Sequence, residues 1–264
     1  MSRFPPGLEP VQDLSSSLWV QEALKEWPSR PFRVRHLVPP VFDAYARILH
    51  RPRRPDDIRD PTGTWAERAA ALGRDLGPET TWWALLGTAP YDSGTDHGPD
   101  EGRLNETEVA ALASFLGAHT ADPSACWFAL WSGFGIFSTG SSLLRAGGTL
   151  AQPLGTLRVR RGEWKANRRA ERARARLATF PLLGQSGRSY VLMKGAVSDA
   201  IRFSFDGWFQ SPTLWWPEDR SWFVHTEIDG MSTYVGGPRS LVDSLVGEQI
   251  LESFEVDPDD RAAL

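Results

Sequence analysis

Cysteine is almost missing from this chain of 264 residues, in which Cys126 is the only one. A single thiol excludes an intrachain disulfide, so the sequence favours a reducing compartment. Cys126 begins the apolar stretch Cys-Trp-Phe-Ala-Leu-Trp, where no neighbouring cation would lower the pKa of the thiol. We therefore expect a buried and unreactive cysteine.

Long apolar runs are missing as well. The longest, residues 126–137, includes Ser132 and two glycines, and it is much shorter than the roughly 20 residues that span a bilayer. The first residues, Met1 to Gly7, lack the apolar segment of a secretory signal peptide. The sequence therefore predicts a soluble, cytoplasmic protein that has no membrane partner.

An excess of positive charge is also absent, since the formal net charge is −4 at pH 7. The chain as a whole is therefore not attracted to nucleic acid or to anionic membranes. One local exception is the run 158–176, which holds nine cations and only two glutamates. Such a run could neutralise phosphates, or it could be a solvated surface helix. Nucleic-acid binding is therefore a second alternative rather than the leading hypothesis.

Motifs for catalysis and for metal binding are lacking too. No serine stands in a G-x-S-x-G nucleophile elbow. The histidines outside the Trp-rich region have no second His or Cys at metal-ligand spacing; they are His36, His50, His97 and His119. We therefore predict no metal and no cofactor.

Tryptophan, in contrast, is abundant, with 12 residues that are densest between Ser211 and Asp229. A Trp buries a large area and carries one N–H that needs a partner, so it suits both cores and binding surfaces. Trp215, Trp216 and Trp222 could form an aromatic wall for a ligand, beside Arg220 as a partner for an anion. Packing in the core is the alternative for these rings.

A second group of candidate residues follows directly. Alternation along a strand would place His225, Glu227 and Asp229 on one face. A histidine and two carboxylates could bind a divalent cation, or could supply an acid and a base. The alternative is an exposed strand face in which Asp229 begins the turn at Gly230.

A third candidate is the segment from Tyr234 to Ser240, in which two glycines join a strand to a helix. The N–H groups at a helix N-terminus favour anions, and Arg239 could assist them. The segment matches neither a dinucleotide-binding fingerprint nor a P-loop. A tight strand-to-helix turn is the alternative.

Hydrophobic spacing predicts helices in the first half of the chain, at 20–27, 41–49, 64–76 and 79–86. Asn105 and Glu108 form the capping box of a further helix. In the second half the pattern predicts strands at 127–131, 190–193, 213–216, 222–228 and 233–235, then a helix from Pro238. The acidic tail from Asp257 is expected to fray.

Because helices and strands do not alternate regularly, the predicted fold class is α+β. A helix-rich N-terminal half would pack on a mainly antiparallel sheet from the C-terminal half. We expect residues 1–264 to form a single compact unit, which could divide into a helical lobe at 14–120 and a strand-rich lobe at 125–256.

Four segments together resemble a family of uncharacterised actinobacterial proteins: residues 37–47, 126–131, 211–229 and 232–237. The specific part is W-W-P-x-D-R-x-W, from Trp215 to Trp222, followed by S-T-Y-V-G-G from Ser232 to Gly237. The resemblance implies a bacterial, cytoplasmic protein. It implies no catalytic residue, because the family has no assigned activity.

These observations favour a non-catalytic binding or interaction protein, with a protein or a small molecule as its partner. Trp, Tyr and Arg dominate binding hot spots, so the expected contact residues are Trp215, Trp216, Arg220, Trp222, Tyr234 and Arg239. The alternative is a hydrolase of a phosphorylated or sugar-like small molecule, with or without a metal. Its candidate catalytic residues are Glu227, Asp229 and His225.

Overall fold

The fold is taken from a computed structural model of the chain. The residues that the structure describes are 4–5, 7–24, 31–52, 63–88, 98–134, 179–185, 187–205 and 208–264. The basic run 158–176 lies outside these residues, so the prediction made for it stays a prediction.

An eight-stranded sheet forms the centre of the described chain, and every pair of neighbouring strands is antiparallel. In chain order its strands are β1 (Ala44–Leu49), β2 (Cys126–Trp131), β3 (Leu183–Gln185), β4 (Arg188–Gly195), β7 (Leu214–Pro217), β8 (Phe223–Thr226), β9 (Ser232–Gly237) and β10 (Ser253–Val256). Their order across the sheet is β10-β1-β9-β8-β7-β2-β4-β3. The short strands β5 (Ser204–Phe205) and β6 (Trp208–Phe209) form a separate pair.

Helices cover both faces of this sheet. The α-helices of the described residues are α1 (Leu18–Ala23), α2 (Trp65–Leu72), α3 (Trp82–Leu86), α4 (Glu106–Ala118) and α5 (Arg239–Val246). Helices α4 and α5 pack on one face, which we call the α4/α5 face. Helix α1 and the short 3-10 helix Val34–His36 pack on the other, which we call the α1 face. The sheet is thus the middle layer of three, with a buried core on each side.

The mixed α+β class with a large antiparallel sheet is confirmed. Helix α4 begins as predicted: Asn105 Oδ1 accepts a hydrogen bond from Glu108 N, and Glu108 Oε2 accepts one from Asn105 N, each at 2.9 Å. Cys126 is fully buried, and burial raises the pKa of its thiol well above the ordinary value. The thiol therefore has the inert setting that its neighbours indicated.

The helix predicted at 41–49 is wrong, because Ala44–Leu49 is strand β1 and lies between β9 and β10. All six residues of β1 are buried. A strand that is buried on both faces shows a continuous apolar run, and periodicity cannot distinguish such a run from a helix. As a result, the N-terminal half is only partly helical and contributes a strand to the sheet.

The acidic tail from Asp257 does not fray, contrary to the expectation from the sequence. Ala262 N donates a hydrogen bond to Phe32 O at 2.9 Å, and Ala263 N donates one to the hydroxyl of Tyr234 at 2.8 Å. Both alanines are buried. The aspartates close turns instead of repelling one another, as when Asp260 Oδ2 accepts from Asp257 N at 2.7 Å.

Within the described residues, the longest α-helix is α4, with 13 residues. None of the described helices has both the length and the apolar character that crossing a membrane requires.

Candidate functional site

The three rings of the predicted aromatic wall are core residues. Trp215, Trp216 and Trp222 each expose at most 1% of their surface. Trp215 and Trp222 pack edge to face at 5.9 Å on the α4/α5 face, and Trp222 Nε1 donates a hydrogen bond to Leu116 O at 3.0 Å. These rings therefore hold the sheet against its covering helices and offer no surface to a ligand.

Trp216 lies on the α1 face and is the buried end of a stack of side chains that reaches the solvent. Its ring stacks on Phe223 at 5.8 Å, and the ring of Trp19 from α1 packs edge-on against both, at 6.3 and 5.7 Å. The guanidinium of Arg220 then lies over Trp19, with Cζ 5.5 Å from the ring centroid. The exposed Arg220 is thus the outermost member of an aromatic stack that begins in the sheet.

The turn that carries Arg220 is fixed by Asp219. Arg220 N donates to Pro217 O at 3.0 Å, which closes the turn. The Asp219 carboxylate accepts hydrogen bonds from Ala121 N at 2.7 Å and from Ser221 N at 3.0 Å. Burial alone would raise the pKa of Asp219, but these hydrogen bonds outweigh it and lower the pKa below its ordinary value. The turn is therefore held in one conformation, against the end of α4.

Arg220 has a strained backbone. Its φ is 57°, and among the described residues it is the one residue other than glycine that has a positive φ. A left-handed conformation costs about 1–2 kcal/mol for a residue with a Cβ, and glycine would avoid most of this cost. The guanidinium also forms no ion pair within the described part of the chain. An unpaired cation on strained backbone is the kind of outlier that points to a function.

Arg220 borders an open cleft of about 610 Å³. One wall is the segment before α1, and the opposite wall comes from the sheet; the lining residues are Val11, Gln12, Asp13, Ser15, Ser16, Trp127, Glu218 and Arg220. Val11 N donates to Leu192 O at 2.9 Å, which ties the first wall to β4. The cleft thus lies where the chain before α1 crosses the sheet near the β7–β8 turn.

The wall formed by the sheet combines an aromatic ring with an ion pair. Trp127 Nε1 donates to Glu218 Oε2 at 3.0 Å, and Lys194 Nζ lies 2.8 Å from the same oxygen. Lys194 Nζ is also 4.6 Å from the centroid of the Trp127 ring. The hydrogen bond from Lys194 lowers the pKa of Glu218, so this carboxylate is ionised at neutral pH. Lys194 is thereby occupied, whereas Arg220 is available to a ligand.

Two polar groups beside the cleft have no hydrogen-bond partner among the described residues. These are Ser16 Oγ and Trp19 Nε1, and both atoms are shielded from solvent. A buried polar group without a partner costs about 1–3 kcal/mol.

Two of the three candidate catalytic residues come together in the structure. His225 Nε2 lies 3.4 Å from Glu227 Oε2. His225 Nδ1 lies 2.7 Å from Leu37 O, and since a carbonyl only accepts, Nδ1 carries the hydrogen. Both side chains are buried under the segment that covers the α1 face, with exposures of 4% and 2%. The alternation placed them correctly on one face, but that face is covered.

Arg188 joins this pair to the third candidate. Its Nη1 lies 2.6 Å from Glu227 Oε1, and its Nη2 lies 3.0 Å from Asp229 Oδ2. Burial alone would raise the pKa of Glu227, but the adjacent His225 and Arg188 outweigh it and lower the pKa. Asp229 is largely exposed. The sequence did not predict a role for Arg188, because nothing around a single arginine at the start of a strand indicates which carboxylates it will pair with.

His225, Glu227 and Asp229 do not form a metal-binding site in the described structure. Across the described residues, no three His, Cys, Asp or Glu side chains come close enough together to hold a metal ion.

The strand-to-helix segment is explained by packing. A Cβ on Gly236 would lie 2.5 Å from Phe42 Cδ2 and 2.7 Å from Val38 Cγ1, so only glycine fits there. Tyr234 is buried, with its hydroxyl bonded to Ala263 N. Arg239 is exposed and pairs with Glu255. Neither residue lines the cleft at Arg220.

Comparison with known proteins adds no relative: no family model matches the chain, and no significant match was found among curated proteins or solved structures. The function is therefore inferred from the geometry of this chain alone.

Proposed function

We propose that the protein is a non-catalytic binding protein, and that a segment of a protein partner docks in the cleft beside Arg220. The observation that carries the proposal is Arg220 itself. Its guanidinium is exposed, stacked on Trp19 and without an ion pair in the described chain, and its backbone is strained. The expected partner segment therefore presents a carboxylate to this cation.

The shape of the cleft supports a protein segment rather than a small molecule. Sites for small molecules are concave and bury most of the ligand between mainly apolar walls. This cleft is open, and charged or polar side chains form most of its lining. Trp and Arg are also the residues that dominate hot spots in protein interfaces. Trp127 and Arg220 would be the anchors, with the exposed Gln12 and Ser15 as hydrogen-bonding neighbours.

The hydrolase alternative has less support, because His225 and Glu227 are buried and Glu227 is neutralised by Arg188. A substrate would have to displace the covering segment around Leu37 to reach them. The reducing, cytoplasmic setting that a single cysteine favours is part of the same proposal.

The experiment is a peptide array probed with purified protein, followed by affinity measurements on the peptides that bind. We expect these peptides to contain Asp or Glu beside an apolar residue. The test variant is Arg220→Gly, because glycine adopts a positive φ without strain and the fold should persist. Loss of a hot-spot arginine costs about 2 kcal/mol or more, so affinity should fall about 30-fold.

The control variant is Arg239→Ala, which removes an exposed arginine that does not line the cleft. It should bind the same peptides as the wild type does. Equal binding by Arg220→Gly and the wild type would refute the assignment of the site. An array on which no peptide binds would refute the role in peptide recognition.

A further inference from the structure

A second arginine is unusual for the opposite reason, since Arg47 in β1 is almost completely buried, with 1% exposure. Its Nε donates to Ser232 Oγ at 2.9 Å. Its Nη1 donates to the carbonyl oxygens of Pro78 and Thr80 at 2.7 and 2.8 Å. All three acceptors are neutral, so they satisfy hydrogen bonds without balancing the charge.

The remaining nitrogen of Arg47 has no partner among the described residues. Nη2 is shielded from solvent, and none of the acceptors in the described part of the chain lies within hydrogen-bonding distance. Arg47 forms no ion pair with a carboxylate of the described residues. A guanidinium stays charged in proteins, and a buried charge without a counter-ion is strongly destabilising. The arrangement therefore calls for a negative charge beside Nη2.

A cavity of about 30 Å³ is present at this place. Arg47, Trp65, Thr81, Trp82 and Gly230 are among its lining residues. The Trp82 indole N–H is also shielded, and it has no partner within the part of the chain that the structure describes. In contrast, Trp65 Nε1 is occupied by His50 O at 2.8 Å. Arg47 and Trp82, the residues that carry the two unsatisfied donors, thus line the same small cavity.

Two carboxylates also line this cavity, those of Glu101 and Asp229. Both residues are exposed, and Asp229 is paired with Arg188. Exposed carboxylates are screened by water and contribute little to the field inside a protein. They therefore do not replace a counter-ion in contact with Arg47.

We propose that this cavity binds a small monovalent anion of the size of chloride, which accepts hydrogen bonds from Arg47 Nη2 and Trp82 Nε1. A water molecule needs about 10–15 Å³ of such space, so the cavity of about 30 Å³ has room for one small spherical ion. The ion would connect strand β1, next to the edge strand β10, to the first residue of α3. This site is separate from the cleft at Arg220 and does not depend on the function proposed for it.

The first test compares thermal unfolding in sodium chloride and in sodium gluconate at equal ionic strength. Chloride at 100 times its dissociation constant should raise the melting temperature by about 5–10 °C over gluconate. Crystals grown in bromide should show an anomalous peak within hydrogen-bonding distance of Arg47 Nη2 and Trp82 Nε1.

The variant Trp82→Phe removes one donor and keeps an aromatic ring, so it should fold and lose most of the chloride effect. Trp19→Phe is the matched control, because the indole N–H of Trp19 is also shielded and unpartnered among the described residues, but Trp19 does not line this cavity. It should keep the full effect. Equal melting temperatures in both salts, or a cavity that holds only water in bromide, would overturn the proposal. An undiminished chloride effect in Trp82→Phe would overturn this site as its source.

Discussion

Replacement of Arg188 by methionine should be strongly destabilising, because it leaves a buried carboxylate without its cation. Glu227 exposes 2% of its side chain, and Arg188 Nη1 lies 2.6 Å from it. Removal of one partner from a buried ion pair costs about 3–5 kcal/mol. Because Arg188 itself is 18% exposed, we expect the lower end of this range. The melting temperature should fall by roughly 6–12 °C for a chain of this length.

The dependence on pH distinguishes this mechanism from simple loss of packing. In the wild type the pKa of Glu227 is lowered, so its stabilising contribution is present above the ordinary value of 4.5 and is lost as the pH falls through the folded value. In Arg188→Met, burial without Arg188 should raise this pKa. The variant would then gain a proton in mild acid, and its deficit against the wild type should shrink.

The assay is urea unfolding of both proteins at pH 7.5 and at pH 4.5. The control is Arg239→Met, which breaks the exposed pair with Glu255 and should cost less than about 1 kcal/mol at both pH values. The double variant Arg188→Met/Glu227→Met should recover most of the loss, because it leaves no buried charge. A loss from Arg188→Met below about 1 kcal/mol at pH 7.5, or an equal loss at both pH values, would refute the reasoning.

Two further predictions concern buried groups. Trp216→Ala should lower the unfolding free energy by about 3–5 kcal/mol, because the ring is fully buried; a melting temperature near that of the wild type would contradict its place in the core. Burial raises the pKa of Glu108 to about 7. Its contribution to stability is therefore complete below its ordinary value of 4.5 and is lost as the pH rises through about 7. Between pH 4.5 and pH 8 the wild type should lose about 3 kcal/mol relative to Glu108→Gln in urea unfolding, and parallel pH profiles would show that Glu108 is not the cause.

Local patterns in the sequence correctly predicted the elements that depend on residues close together in the chain. Asn105 and Glu108 are three residues apart, and their capping box is visible without any tertiary contact. The alternation along β8 placed His225 and Phe223 on one face correctly. Patterns of this kind were misleading at β1, because a strand buried on both faces has no polar side to reveal it.

The contacts that form the candidate site join distant parts of the sequence. The cleft brings residues 11–16 next to Trp127 and the turn at Arg220. Arg188 meets Glu227 only because the sheet order places β4, β2, β7 and β8 side by side. The sequence singled out Arg220 and the rings near it, but no local pattern could indicate which rings would be covered. Burial on both faces of the sheet decided that outcome.

The proposed binding site is tested most directly by hydrogen–deuterium exchange of the protein, with and without the tightest-binding peptide from the array. We predict that bound peptide slows exchange in residues 11–16 and 218–221, which line or carry the cleft. The same peptide should leave exchange in α5 unchanged. Protection confined to other segments, with unchanged exchange around Arg220, would contradict the account.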